Sequence, residues 1–220
     1  MVKVLELFSG TGSIGKCCNK IGFEKVSVDL LLEADHKVNI MEFDYKQYGK
    51  NEFDIVWASP PCTTYSKLQD CWIDRMRKGE IYTREIQEKE MLEDDKLVLK
   101  TLEIINYFNP ELWFIENPDT SRMKEREFMK KLPFYVVDYC MYSNWGYRKR
   151  TRIWTNKKDF NALKCNRNCG NMVGKLHKTN LGNADRIKRA NEKNLKKYVS
   201  LTQLDRYRIP EDLIYSLFLD

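Results

Sequence analysis

The sequence predicts an α/β fold: a doubly wound, Rossmann-like sheet with helices on both faces, plus a small basic C-terminal appendage. Three observations carry that prediction. Short apolar runs alternate with helical patterns. Several runs end in a carboxylate or in a polar residue fixed by proline. The composition then turns to Lys, Asn and Gly beyond Asn156. Open α/β sheets place their chemistry just past the carboxyl ends of the strands, so each strand end is a candidate site.

The first run, VKVLEL (Val2 to Leu7), reads as a strand. The glycine turn FSGTGS follows, then helical spacing from Ile14 to Ile21 and a second strand, EKVSVD (Glu24 to Asp29). Strand, glycine turn, helix, strand and terminal carboxylate is the layout of a nucleotide or nucleoside site. Gly10 and Gly12 let the backbone approach a ligand, and Asp29 is placed to accept hydrogen bonds from ribose hydroxyls. A glycine pair is weak evidence by itself, and a ligand-free tight turn is the competing reading. Val38 to Ile40 reads as a third short strand.

The fourth strand, Phe53 to Ala58, runs into SPPCTTYS (Ser59 to Ser66). Pro60 and Pro61 fix the backbone and remove two amide donors, so Cys62 is held in a preset place. It is either a nucleophile or an incidental buried thiol. Lys67 to Arg84, with Arg75, Arg77, Lys78 and Arg84, exceeds the usual connection length and reads as a lid that meets phosphate or as a disordered loop. Glu85 to Phe108 has the spacing of a long amphipathic helix stopped by Asn109-Pro110. Leu112 to Ile115 is a buried strand ending in Glu116-Asn117-Pro118. Tyr135 to Tyr142 and Arg150 to Thr155 complete the expected sheet. The chain thus divides into a catalytic and cofactor-binding part (1–155), a small basic segment (156–200) and a C-terminal helix (201–220). Leu213, Ile214, Leu217 and Phe218 of that helix can pack back on the core.

Hydrophobic residues at 42% and aromatics at 12% support a real core and argue against disorder. No run approaches membrane-spanning length and no signal-peptide pattern opens the chain, so an intracellular protein is expected. The odd count of seven cysteines suits thiols, a nucleophile or metal ligands better than disulfides. From Met141 to Arg208 there are 18 Lys/Arg against 4 Asp/Glu, whereas the part before is mildly acidic. Such asymmetry suggests a polyanion partner, nucleic acid ahead of membrane; a solvated lysine-rich surface is the alternative.

A Cys-His hydrolase needs a histidine beside the thiol, and the two histidines, His36 and His177, lie by no strand-end signature. A thiolate with a pKa lowered by neighbouring cations can instead add to an electron-poor ring. Glu116, kept protonated by its environment, could neutralise charge on a ring nitrogen; a structural carboxylate is the alternative.

Taken together, these motifs resemble the cytosine-C5 DNA methyltransferase family, in a compact form reminiscent of phage or viral enzymes. LELFSGTGSIG (Leu5 to Gly15) resembles the cofactor motif Asp-Leu-Phe-x-Gly-x-Gly. SPPCTTYS resembles the catalytic motif Pro-Cys-Gln-x-x-Ser, FIENP (Phe114 to Pro118) resembles Glu-Asn-Val, and WGYRKRTRIW (Trp145 to Trp154) resembles Gly-x-x-Gln-x-Arg-x-Arg. The resemblance implies that Cys62 attacks C6 of a flipped-out cytosine, Glu116 holds N3 and the amino group, and Arg150 and Arg152 position the base. It implies S-adenosyl-L-methionine as methyl donor, with Phe8, Gly10, Thr11, Gly12, Asp29, Asn39, Ile40 and Pro60 lining its site. It also implies DNA contacts by Ser66, Arg75, Arg77, Lys78, Arg84 and Arg148. A transfer-RNA branch of the family, transfer of a group other than methyl, and a catalytically silent nucleic-acid or partner-binding module are the alternatives.

The chain departs from the family pattern in places. Thr63 stands where the motif has glutamine, Arg148 takes the place of another glutamine after a one-residue contraction, and Asp29 and Asn39 replace the usual glutamate and aspartate. The large target-recognition domain is reduced to Asn156 to Ser200, so a short recognition context or a partner protein supplying specificity is expected. Within that segment Cys165-x-x-x-Cys169 with His177 has spacing permissible for structural zinc, the fourth ligand being open unless Cys140 reaches over. Unpaired loop thiols, with no metal, are the expectation.

Overall fold

A computed structural model describes residues 1–179 and 201–219. Strand β1 (Lys3–Leu7) leads through the glycine turn to helix α1 (Ser13–Ile21), then β2 (Glu24–Asp29), the two-residue β3 (His36–Lys37) and β4 (Ile55–Ala58). A small hairpin, β5 (Met76–Arg77) and β6 (Glu80–Ile81), precedes the long helix α2 (Arg84–Phe108). The strands β7 (Leu112–Pro118), β8 (Phe134–Asp138) and β9 (Arg150–Thr155) follow, and a second hairpin pairs β10 (Met172–Val173) with β11 (Leu176–His177).

The main sheet has the order β3-β2-β1-β4-β7-β9-β8, and only β9 runs antiparallel to its neighbours. The order reverses between β1 and β4, which opens a crevice at their carboxyl ends, where the glycine turn and the Cys62 loop both begin. The expected doubly wound α/β fold is the one found.

The two-residue period of the strands sorts their side chains. Leu5, Leu7, Val56, Ala58 and Ile115 face α2, where Met91, Val98 and Ile105 meet them. Val4, Ile55, Trp57 and Phe114 face the other way, against Ile14, Cys17 and Cys18 of α1. Leu213, Ile214, Leu217 and Phe218 of the C-terminal helix Glu211–Phe218 complete that second layer. Trp57 is fully buried there, its ring 5.3 Å from Phe114 and 6.2 Å from Phe218. Burying a side chain of that size contributes upward of about 2 kcal/mol.

Helix ends follow local chemistry. The hydroxyl of Thr83 accepts from the N–H of Ile86 at the start of α2, and Asn109 ends it in the left-handed region at φ 46°. No side chain caps α1 at Gly12. The buried Glu6 of β1 serves instead, its carboxylate accepting from the N–H of Ile14 (3.2 Å) and Gly15 (3.0 Å).

Several expectations need correction. The third strand is His36–Lys37 rather than Val38 to Ile40, because the pairing with β2 ends at Asp29↔Lys37, and Asn39 turns the chain by accepting from the N–H of Met41. The run predicted from Tyr135 to Tyr142 ends at Asp138, and Tyr139–Met141 forms a 3-10 turn. The polar stretch before α2 is ordered rather than a disordered loop. It folds as a 3-10 helix, Lys67–Trp72, and the β5–β6 hairpin. Residues 180–200 of the expected recognition segment lie outside the described residues. Among the described residues no helix is long and apolar enough to cross a membrane.

Candidate active site

The carboxyl ends of β4 and β7 are neighbours in the sheet, so Cys62 and Glu116 are brought to one mouth. Pro60 is buried, and its carbonyl accepts a 3.0 Å hydrogen bond from the Asn117 side chain. The residue after Glu116 thus ties the proline-fixed loop to β7. The other amide atom of Asn117, Oδ1, is buried without a partner.

Glu116 is 6% exposed and accepts from the Tyr139 hydroxyl (2.9 Å) and the Lys149 ammonium (3.2 Å). Tyr139 is fully buried, and burial together with the Glu116 carboxylate holds its hydroxyl protonated far above the ordinary tyrosine range. Burial pushes the Cys62 thiol up, the charge of Glu116 pushes the same way, and Lys149 opposes both. A thiol lowered by surrounding cations is therefore not what the resting site contains, and the nearby charge that favours its thiolate is Lys149.

Arg150 and Arg152 lie elsewhere. In the β7–β9 register Glu116 pairs with Ile153 and Asn117 with Arg152, so both arginines project on the Asn117 side of the sheet, away from Glu116. There Asp119 takes Arg152 at 3.0 Å and Arg150 at 3.6 Å, and the Arg152 guanidinium stacks 3.7 Å over the Phe134 ring. Lys149, of opposite parity, reaches Glu116. The sequence reading missed Lys149, Tyr139 and Asp119; Lys149 alone had a visible signal, sitting inside WGYRKRTRIW.

The expected DNA-contacting residues are mostly engaged within the chain. Arg77 pairs with Glu90 (2.8 Å) and stacks on Tyr82, and Lys78 shares Glu90 at 3.5 Å. Arg84 pairs with Asp70 (2.7 Å), whose carboxyl is held well below the carboxylate range chiefly by hydrogen bonds from Arg122. Arg148 grips the fully buried Asp138 through two bonds of 2.8 and 3.0 Å. Ser66 caps the Lys67–Trp72 turn. Arg75 is exposed and has no ion pair among the described residues.

At the glycine turn, Phe8, Gly10 and Gly12 all adopt positive φ (56°, 51° and 67°). The Gly10 N–H donates to Asp29 at 2.8 Å, and the second oxygen of Asp29 accepts from Leu31 and Leu32. Asp29 therefore organises the turn and the bend after β2. A side chain on Gly12 would meet nothing within 4 Å, and the buried Ser9 hydroxyl has no partner. Open space over a left-handed turn beside an orphaned hydroxyl fits a polar small-molecule cofactor. Thr11 lies beside Ser13, their hydroxyls 3.2 Å apart, and Ile40 is buried in the α2-side core. Burial raises the pKa of Glu6, beneath the turn, to about 7 against its helix N–H bonds. A cleft of about 850 Å³ opens between α1, the 140–145 segment and the stretch from Leu204 to Asp212; of the expected cofactor residues only Thr11 lines it.

The sheet, its switch point and the turn define an α/β fold of the methyltransferase type. The methyltransferase EhMeth of Entamoeba histolytica superposes with a TM-score of 0.50 at 17% identity, over 74% of this chain and 56% of that one. The Dnmt2 methyltransferase of S. pombe gives 0.44 at 15% identity, over 74% and 51%. The chain thus spans little more than half the length of these solved neighbours. No family model matches it. A "Probable DNA (cytosine-5)-methyltransferase" of Frog virus 3 (isolate Goorha) is 43% identical over 175 residues, covering 78% of this chain and 79% of its own. The chain belongs to the DNA (cytosine-5)-methyltransferase family.

Proposed function

We propose that the protein transfers a methyl group to C5 of cytosine in DNA, with Cys62 as nucleophile and Glu116 as the group that holds the base. The observation that carries this reading is the convergence of the two side chains at adjacent strand ends, with Lys149 touching Glu116 and lowering the Cys62 thiol. In the reaction the Cys62 thiol gives its proton to solvent water and its sulfur bonds to C6. The ring electrons move toward C5, and Glu116 hydrogen-bonds N3 and the amino group. Phe8, Gly10, Thr11, Gly12, Asp29, Asn39, Ile40 and Pro60 would hold S-adenosyl-L-methionine, which when bound would supply an electrophilic methyl group for C5. Transfer of the C5 proton to solvent water then leaves its electron pair to re-form the C5–C6 double bond, expelling the Cys62 thiolate.

Lys149 stabilises the thiolate electrostatically. Asn117 keeps the Pro60 carbonyl, and with it the Cys62 loop, in register with β7. Arg152 supports β9 by stacking and by its bond to Asp119, while Arg150, at 44% exposure, is the freer of the two to meet substrate. The target base must leave the duplex, at a cost of a few kcal/mol. Exposed Arg75 and the basic residues beyond Met141 offset part of that cost through phosphate. With so short a recognition segment, specificity rests on a short sequence context or on a partner protein.

The test is incubation of the protein and its Cys62→Ala variant with labelled S-adenosylmethionine and separate DNA and RNA substrates. Label should enter DNA cytosine with wild type and fall at least about 10⁴-fold in the variant, the scale of losing a nucleophile. A covalent adduct with 5-fluorocytosine DNA should form only with Cys62 present. Transfer that survives in Cys62→Ala would sink the covalent route, and transfer to RNA alone would reassign the substrate.

A further inference from the structure

We propose that Cys140, Cys165, Cys169 and His177 form a closed structural zinc site. The four ligand atoms all lie within 4.8 Å of one another, and they come from three separate stretches of chain. Cys140 sits in the 3-10 turn after β8, Cys165 and Cys169 in the segment after β9, and His177 on β11. Folding has therefore gathered side chains that sequence spacing alone could not join.

The distances suit the ion. A tetrahedral Zn²⁺ with Zn–S near 2.3 Å and Zn–N near 2.0–2.1 Å requires sulfur-to-nitrogen edges of roughly 3.5–3.6 Å. The Nε2 of His177 lies 3.6 Å from Cys165 Sγ and 3.4 Å from Cys169 Sγ. Three thiols and an imidazole are soft and borderline donors that select zinc over magnesium or calcium. With four protein ligands no coordination position stays open, so the ion would be structural rather than catalytic.

The surroundings are built for such a centre. The 165–169 turn is made possible by Arg167 in the left-handed region at φ 64°. The Cys165 N–H is fixed to buried Asp138 (2.8 Å). Asn171, 3% exposed, donates to the carbonyls of Cys140 (2.8 Å) and Ser143 (2.7 Å), holding the Cys140 turn against the segment that carries the other ligands. Among the described residues the buried cluster of this part of the chain is the three thiols, with Met141 and Met172 packed against them. Small units with so little apolar burial are commonly held by a metal. Binding converts three thiols to thiolates and releases three protons, giving a singly negative centre: Zn²⁺ with three thiolates and one neutral imidazole.

The test needs no methyltransferase assay. Protein purified under reducing conditions and desalted should carry one zinc per chain by elemental analysis, and Cys71→Ser, at an exposed thiol outside the cluster, should keep it. Cys169→Ser and Cys165→Ser should lose most of it. Because those variants could unfold, the wild type is also loaded with Co²⁺ in place of zinc. Intense visible d–d bands with a thiolate-to-cobalt charge-transfer band in the near ultraviolet are expected, and His177→Cys should retain a tetrahedral spectrum shifted toward that of four sulfurs. Folded wild type without zinc, zinc retained after both serine substitutions, or a Cys165–Cys169 disulfide in the reduced preparation would each overturn the assignment.

Discussion

Two regions of this molecule hold their side chains by opposite means. Under the sheet, Trp57, Phe114 and Phe218 stack among aliphatic residues contributed by α1, β1, β4 and the C-terminal helix. Beside the β8 end, the segment from Cys165 to His177 gathers around thiols, an imidazole and the buried amide of Asn171. The first region gains from area removed from water and tolerates imprecision. The second depends on a few directional contacts. A segment of a few dozen residues has too little apolar surface for the first method.

The contrast can be broken from either side. The largest effect is expected under the sheet: Trp57→Ala should lower unfolding free energy by about 3–5 kcal/mol through lost burial and the cavity left behind, read by denaturant unfolding. A loss below 1 kcal/mol would mean that the layer is not the main core. On the other side, Arg148→Ala leaves the Asp138 carboxylate buried and bereft of its guanidinium. We expect a loss of about 3 kcal/mol, the low end for a buried pair, because Arg148 itself is 35% exposed. The damage should concentrate near the thiols, since Asp138 also holds the Cys165 N–H, and amide exchange should rise around 163–178 before it rises in β1 or β4.

The smallest effect is electrostatic. A thiol held up by burial and by Glu116 reacts only as its proton leaves, so alkylation of Cys62 should rise with pH and do so later than for an ordinary cysteine. Lys149 favours the thiolate; Lys149→Met should move the profile to higher pH still, and Lys149→Arg should largely restore it. Peptide-resolved alkylation kinetics across pH measure this directly, and an unchanged profile in Lys149→Met would remove lysine from the account.

Most of the sheet was legible because apolar alternation and proline or glycine punctuation are local signals. The strand-end positions of Cys62 and Glu116 were legible for the same reason: each follows a buried run and stands within two residues of proline, so the strand end could be read without knowing its neighbour. What escaped depended on long-range geometry. Which basic residue faces Glu116 is set by the pairing of β9 with β7, and Tyr139 comes from the turn after β8. Arg77, Lys78 and Arg84 read as free charge because nothing local shows that Glu90 and Asp70 wait across the fold. The third strand was placed too late because a two-residue strand, His36–Lys37, carries almost no periodic signal. Cys140 as a companion to Cys165 and Cys169 could only be raised as a question, since twenty-four residues of unknown path lie between Cys140 and Cys165.

The register of β9 also bears on how this site tolerates insertions. Lys149 precedes the strand by one residue, and Arg150 opens it. Adding one residue between them would leave every rung of the ladder intact yet reverse which way Lys149 points, putting the newcomer toward Glu116. Two added residues would restore the original facing at a greater reach. The cation at the carboxylate is thus governed by odd and even counts, so a single-codon insertion or deletion here could change the chemistry of the mouth while the fold remained blind to it.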